Sequence, residues 1–79
     1  MNKVEIYSTD NCPWCARAKS LLQTKGLDYR EVNLTTEKAR VPEMIERSGR
    51  RTVPQIFIND QPIGGLDELS AMSHDGKLD

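Results

Sequence analysis

The sequence predicts an α/β fold of order βαβαββα, in which helices flank a four-stranded mixed sheet. Along the chain, short stretches with the apolar–polar alternation typical of strands are followed by stretches whose apolar residues recur at helical spacing. The first strand–helix–strand unit indicates two parallel strands joined by a right-handed crossover. The tight connection between the last two strands indicates an antiparallel hairpin, which makes the sheet mixed.

The composition is that of a small globular protein with little net charge. Its 79 residues are expected to form one domain, residues 1–79, and a hydrophobic content of 37% suffices for one small core. A net charge of −1 gives no indication of a nucleic-acid or membrane partner. The chain starts with charged residues and lacks the apolar segment of a signal peptide, so we expect a cytoplasmic protein.

The first half of the chain is predicted to hold a strand, a helix and a second strand. Residues 4–7 alternate apolar and polar side chains and precede polar turn residues, as strands do. Pro13 suits the start of a helix, since it has no N–H to leave unpaired, and Gly26 suits the end. We therefore expect a helix at about residues 13–25 and a strand at residues 28–33. The apolar stripe of this helix comprises Cys15, Ala18, Leu21 and Leu22.

Pro42 makes the segment at residues 36–48 ambiguous. One interpretation is a kinked helix, and the other is a loose turn followed by a helix with Pro42 in its first turn. We prefer the second, with Gly49 ending the helix. The residues that then face inward are Met44, Ile45 and Ser48.

The second half continues with a hairpin and a helix. Residues 55–59 are the clearest strand, residues 59–61 form a turn, and Pro62 limits the next short strand to a sheet edge. Two glycines lead into the last helix, whose apolar residues are Leu66, Leu69 and Met72.

Cys12 and Cys15 are the only cysteines, and three structural interpretations of them compete with a catalytic one. A zinc site needs four ligands, and only His74 is left to add, so one chain cannot close the site, although a zinc or iron–sulfur site shared between chains stays open. A permanent disulfide over four residues stabilises by only ~2 kcal/mol and is rare in the cytoplasm. Burial as a small hydrophobe suits Cys15 but not Cys12.

Redox catalysis suits both cysteines. Residues three apart in the first turn of a helix lie ~5–6 Å from one another, which is within the range of a disulfide. The unpaired N–H groups at the helix start stabilise an anion, and thiolates in such places have a lowered pKa. We therefore expect Cys12 to attack, and the more buried Cys15 to resolve the mixed disulfide.

Pro54 stands directly before the clearest strand and allows two interpretations. It is either an ordinary proline at the start of a strand, or the second residue of a cis Val53–Pro54 bond. In the second case the N–H and C=O of Val53 form no hydrogen bond within the sheet, and they can pair with an extended peptide.

Three motifs in this order and spacing resemble the glutaredoxin family: Cys-Pro-Trp-Cys at residues 12–15, Arg-Thr-Val-Pro-Gln-Ile-Phe-Ile at residues 51–58, and Ile-Gly-Gly-Leu-Asp-Glu-Leu at residues 63–69. The resemblance spans about residues 3–72. It implies the thioredoxin fold, with helices on both faces of a four-stranded mixed sheet. It also implies a glutathione-dependent oxidoreductase that reduces protein–glutathione mixed disulfides and protein disulfides, with Cys12 as nucleophile and Cys15 as resolving thiol.

The resemblance also implies where glutathione binds. Val53, before a cis Pro54, would pair its backbone with the cysteinyl part, and Thr52 lies along the same edge. Gly65, Leu66 and Asp67 would hold the γ-glutamyl end. The Asp67 carboxylate can pair with the γ-glutamyl amine, while N–H groups at the helix start take the α-carboxylate. A first-turn carboxylate is also an ordinary helix-stabilising charge, and the two roles are compatible.

Five further positions bear on the site. Trp14 is either an aromatic cover for the helix end or a flat wall beside the sulfur and the bound tripeptide. The glycyl carboxylate could be attracted by Arg40, and equally by Arg50 or Arg51. The alternative for each arginine is an ordinary solvated charge at the surface. Thr9 stands where the family commonly has a lysine and offers a hydroxyl in its place.

The expected partners are glutathione, as reductant, and glutathionylated or disulfide-bonded client proteins. We expect a monomer with no permanently bound cofactor, no metal, and no nucleic-acid or membrane partner. One alternative is a redoxin recharged by thioredoxin reductase, which the Gly-Gly-x-Asp motif disfavours. The other is an iron–sulfur carrier with Cys12 from two chains, which the rigid loop at Pro13 disfavours.

Overall fold

The computed structural model describes residues 3–78, which contain four strands, three α-helices and one short 3-10 helix. The strands are β1 (Val4–Ser8), β2 (Arg30–Asn33), β3 (Gln55–Ile58) and β4 (Gln61–Gly64). The α-helices are α1 (Pro13–Thr24), α2 (Val41–Ser48) and α3 (Leu66–His74), and the 3-10 helix at Lys38–Arg40 leads into α2.

The strands form one sheet in the order β2-β1-β3-β4. β1 pairs with β2 in parallel, with Glu5 opposite Arg30, and with β3 antiparallel, with Ile6 opposite Ile56. β3 and β4 form the antiparallel hairpin. The mixed sheet expected from the sequence is confirmed, and Pro62 lies in β4 at the sheet edge, where a missing N–H costs no ladder bond.

Helices cover both faces because successive residues of a strand point to opposite sides of the sheet. In β1, Ile6 packs with α1 and α3, whereas Tyr7 packs with α2. The larger cluster of buried side chains contains Val4, Ile6, Ala18, Leu22, Ile56, Leu69 and Leu78. The smaller contains Tyr7, Val32, Leu34, Met44 and Phe57.

The preferred interpretation of the Pro42 segment is confirmed. A short 3-10 helix precedes α2, and Pro42 lies in the first turn of α2, where no N–H is required. Met44 is 1% exposed and so anchors α2 to the sheet, with Ile45 and Ser48 half-buried beside it. Gly49 ends α2 with a φ of 73°, a left-handed conformation that glycine adopts at little cost.

Two details differ from the sequence-based expectation. β2 is shorter than predicted and starts at Arg30, the residue opposite Glu5. The hairpin turn consists of Asn59 and Asp60, both with positive φ, and Gln61 already belongs to β4. Two consecutive left-handed residues match the right-handed twist of the strands that they join.

Candidate active site

Both cysteines lie at the N-terminus of α1, where Cys12 is the N-cap residue and Pro13 the first helical residue. They form a disulfide with 5.2 Å between the two Cα atoms. The Cys15 N–H donates to Cys12 Sγ over 3.1 Å. The helix therefore presents one of its otherwise unpaired N–H groups to this sulfur, as expected for a site that stabilises a thiolate.

The two sulfurs differ in access. Cys15 is 1% exposed and lies on the apolar stripe of α1, whereas Cys12 is half-buried at the surface. An incoming disulfide can thus reach Cys12 first, and Cys15 is placed to act only on a group already bound to Cys12.

The Val53–Pro54 bond is cis, which confirms the more specific of the two interpretations. Val53 precedes β3, so the sheet ladder does not use its N–H and C=O. Cys12 Sγ lies 3.9 Å from the Val53 carbonyl oxygen. The segment before β3 therefore runs directly beside the outer sulfur.

Gly65 brings the start of α3 against this same segment. It is the N-cap residue of α3, and a Cβ on it would lie 3.2 Å from the Pro54 carbonyl oxygen. Contacts this short are rare for a real Cβ, so a side chain here would push α3 away from the site. The missing side chain allows the helix N-terminus to approach Pro54.

An open groove of about 310 Å³ lies between the active-site loop, the cis-proline segment and the start of α3. Seven of the residues that the sequence named as glutathione contacts line it: Trp14, Thr52, Val53, Pro54, Gly65, Leu66 and Asp67. Arg50, Gln55 and Glu68 line it as well. Residues from three separated stretches of the chain thus share one groove next to Cys12.

Thr9 and Arg40 lie outside the groove lining. Thr9 belongs to the loop between β1 and α1 and is half-buried. The Arg40 guanidinium is held by Glu43 on its own segment, at 2.8 Å and 3.1 Å, and by Glu37 at 3.6 Å. The hydrogen bond to Glu43 raises the pKa of Arg40, and Arg40 lines a different groove, together with residues of β1 and β2.

Arg50 is the arginine that lines the groove. Its Nη1 lies 3.4 Å from Glu68 Oε1, and the same oxygen accepts a 2.6 Å hydrogen bond from the Gly65 N–H. That N–H, with Arg50 adding to it, holds the pKa of Glu68 below its usual range. The start of α3 therefore already holds one carboxylate of the chain itself.

Sequence reasoning missed two of the lining residues, Gln55 and Glu68. Gln55 is 1% exposed, and its Nε2 donates to the Thr52 carbonyl (3.0 Å) and to the Thr52 hydroxyl (3.2 Å), so it fixes the groove edge from below. A glutamine at the start of an apolar strand gives no indication in the sequence that it supports a binding groove. Glu68 is the third residue of α3, and an acidic residue there is a known cap signal.

Within residues 3–78, no three His, Cys, Asp or Glu side chains lie close enough together to hold a metal ion. No helix in this part of the chain has the length and apolar character needed to cross a bilayer.

The family assignment follows from comparison with known proteins. The glutaredoxin family model matches residues 4–63. Glutaredoxin 3 of Escherichia coli K12 is 52% identical over 79 residues, which are all of this chain and 95% of that protein. The chain belongs to the glutaredoxin family. The glutaredoxin of Pseudomonas aeruginosa is 44% identical over 79 residues, covering all of this chain and 94% of its own.

Solved structures agree with this assignment. A crystal structure of a buckwheat glutaredoxin–glutathione complex superposes with a TM-score of 0.88 at 34% identity, covering 98% of this chain and 73% of that one. The solution structure of glutaredoxin from Brucella melitensis gives 0.81 at 47% identity over 96% and 83%. This glutaredoxin therefore has the thioredoxin-like α/β fold. It is a glutathione-dependent thiol–disulfide oxidoreductase, with Cys12 and Cys15 as its redox-active pair.

Proposed function

We propose that Cys12 is the attacking thiolate, that Cys15 is the resolving thiol, and that the groove beside them binds glutathione. The observation that carries this proposal is the half-buried Cys12 sulfur, which lies at the start of α1 and 3.9 Å from the Val53 carbonyl. The helix start favours the thiolate, and the groove next to it accepts an extended peptide.

The groove has polar groups for the cysteinyl and γ-glutamyl residues of the tripeptide. The N–H and C=O of Val53 pair with the cysteinyl residue of glutathione, as an added strand would. Asp67 pairs with the γ-glutamyl ammonium, and N–H groups at the start of α3 take the neighbouring carboxylate. Thr52, Pro54 and Leu66 contribute the remaining wall.

We assign the cation of the groove to Arg50. Glutathione carries two carboxylates, and Arg50 is the one Lys or Arg side chain of residues 3–78 that lines the groove. Arg40 is engaged by two glutamates elsewhere, and Thr9 has no charge to offer.

Reduction of a protein–glutathione mixed disulfide needs only Cys12. Its thiolate attacks the glutathionyl sulfur, a bond from Cys12 to glutathione forms, and the protein leaves as a thiolate that takes up a proton. A second glutathione thiolate then attacks the glutathionyl sulfur on Cys12, so that glutathione disulfide leaves and the Cys12 thiolate is restored.

Reduction of a protein disulfide uses both cysteines. Cys12 attacks one client sulfur, and the Cys15 thiolate then attacks Cys12 Sγ, which closes the Cys12–Cys15 disulfide and releases the reduced client. The 5.2 Å separation of the two Cα atoms supports closure with little backbone movement. Two glutathiones reduce the pair again.

We further propose that residues 1–79 act as one monomeric domain in the cytoplasm, on client proteins, without a nucleic-acid or membrane partner. A redox pair that opens and closes fits a compartment in which the glutathione pool keeps thiols reduced. A net charge of −1 fits the absence of polyanionic partners.

The test compares Cys12→Ser and Cys15→Ser. We expect Cys15→Ser to keep reducing a glutathionylated peptide and to lose reduction of a protein disulfide, whereas Cys12→Ser loses both reactions. The assays measure peptide release and client thiol formation with glutathione as the only reductant. Loss of both activities in Cys15→Ser would contradict the proposed division of labour.

A control addresses how the oxidised protein is recharged. Oxidised wild-type protein incubated with glutathione alone should regain two free thiols. If it stays oxidised until thioredoxin reductase is added, the glutathione-linked function is wrong.

A further inference from the structure

Trp14 is the one large hydrophobic side chain of residues 3–78 that remains exposed, with 55% of its surface accessible. It lies in the first turn of α1, between the two cysteines in sequence, and it lines the groove. An indole exposed to this extent is not fixed by core packing. The groove therefore has a defined wall at Trp14 only if another contact orients the indole.

The Arg17 guanidinium supplies such a contact. Its Cζ lies 5.2 Å from the centroid of the Trp14 ring, within the range of a cation–π interaction. The two residues are three apart on α1, a spacing that places them side by side on the helix surface. Arg17 is exposed and forms no ion pair within residues 3–78, and its guanidinium lies over the indole.

We propose that Arg17 is a positioning residue that holds the Trp14 indole as the wall of the groove. Arg17 does not itself line the groove. It acts through Trp14, by restricting the rotamers of the ring before the substrate arrives, so that less conformational entropy is lost on binding. This inference rests on the proposed binding of glutathione in the groove.

The kinetic test uses Arg17→Met, which keeps an unbranched apolar side chain and removes the cation. We expect the KM for the mixed disulfide of glutathione and 2-mercaptoethanol to rise by about two- to fivefold with kcat unchanged, since an exposed cation–π contact is weak and acts on binding. Arg17→Lys keeps the charge and should fall between wild type and Arg17→Met. Lys38→Met, which removes a positive charge outside the groove, serves as the matched control and should retain the wild-type KM.

A double-mutant cycle separates positioning from a simple charge effect. In Trp14→Leu protein, Arg17→Met should have no further effect on KM, because the ring through which Arg17 acts is gone. If Arg17→Met raises KM by the same factor with and without Trp14, Arg17 acts through its charge and the proposal is overturned. The pH profile of Cys12 alkylation should be the same in Arg17→Met and Lys38→Met, and a shift unique to Arg17→Met would likewise overturn it.

A measurement without substrate distinguishes a failure of this inference from a failure of the proposed function. Trp14 is the only tryptophan, so its fluorescence reports this ring alone. In the reduced protein, Arg17→Met should lower the fluorescence anisotropy and increase quenching by neutral acrylamide. Unchanged values would refute the positioning role even if glutathione turnover is normal. Absence of turnover in the wild type, with the fluorescence change present, would instead refute the proposed function.

Discussion

Asp67 and Glu68 are neighbouring carboxylates in the first turn of α3, and they have different surroundings. Glu68 Oε1 accepts the Gly65 N–H and approaches Arg50, so it is engaged by the chain itself. Asp67 is exposed, lines the groove, and forms no ion pair within residues 3–78. Asp67 can therefore pair with a ligand ammonium without breaking an ion pair within residues 3–78.

We expect Asp67→Asn to raise the KM for glutathionylated substrates by about tenfold with little change in kcat, since a charge-assisted hydrogen bond becomes a neutral one. Steady-state kinetics at several concentrations of a glutathionylated peptide measure this. Asp75→Asn, at the other end of α3, removes the same charge outside the groove and controls for net charge. An unchanged KM in Asp67→Asn would remove Asp67 from the binding site.

At the scale of elements, α1 has a defined end as well as a reactive start. The Gly26 N–H donates to the Gln23 carbonyl, and the Leu27 N–H to the Leu22 carbonyl, which together form a Schellman motif. Gly26 has a φ of 70°, the left-handed conformation that the motif requires. Leu27 packs on the core cluster that contains Leu22, so the motif also directs the chain towards β2.

Gly26→Ala should destabilise the protein by about 1 kcal/mol and lower Tm by about 4–8 °C, because alanine is strained in the left-handed region. The space around Gly26 is open, so no clash adds to this cost. Differential scanning calorimetry measures the shift, and Gly26→Asn should lose less, since asparagine tolerates this conformation better. Activity at 25 °C should be retained, and a Tm equal to that of the wild type would show that the motif does not limit stability.

At the scale of the whole molecule, carboxylates connect elements that are distant in sequence. Glu31 on β2 accepts from the Lys19 ammonium of α1 (2.8 Å) and from the Ser8 hydroxyl of β1 (2.5 Å). Glu43 on α2 accepts from the buried Tyr7 hydroxyl and from Arg40. The Lys19 ammonium lowers the pKa of Glu31 most, and Arg40 that of Glu43.

We expect the free energy of unfolding to fall as the pH drops below about 4.5, the ordinary pKa of a glutamate. A carboxyl whose pKa is lowered by folding stabilises the native state above its unfolded pKa, and this contribution is lost as the pH falls through the folded pKa. Urea midpoints between pH 7 and pH 3 measure the effect. Glu31→Gln should reduce the change of the urea midpoint with pH, and Glu46→Gln should not. A wild-type midpoint that is constant from pH 5 to pH 3 would contradict this account.

Local sequence patterns were enough to predict the helices, the strands and the redox pair. Alternation in β1, helical spacing in α1, and Pro42 with Gly49 around α2 each depend on a few neighbouring residues, so the sequence predicts them. Cys12 and Cys15 needed only their spacing and the proline between them. The resemblance to glutaredoxins added the expectation of which distant stretches meet.

The tertiary structure decided what depends on residues far apart in sequence. It brought Arg50 rather than Arg40 to the groove, because Glu43 holds Arg40 elsewhere. It placed Gln55 under Thr52, and it buried Leu78, from a tail without any sequence signal, at 4% exposure in the core. Side-chain pairing and burial are set by the competition among all neighbours in space, which local spacing does not encode, whereas helix starts and strand alternation are set by the chain on either side.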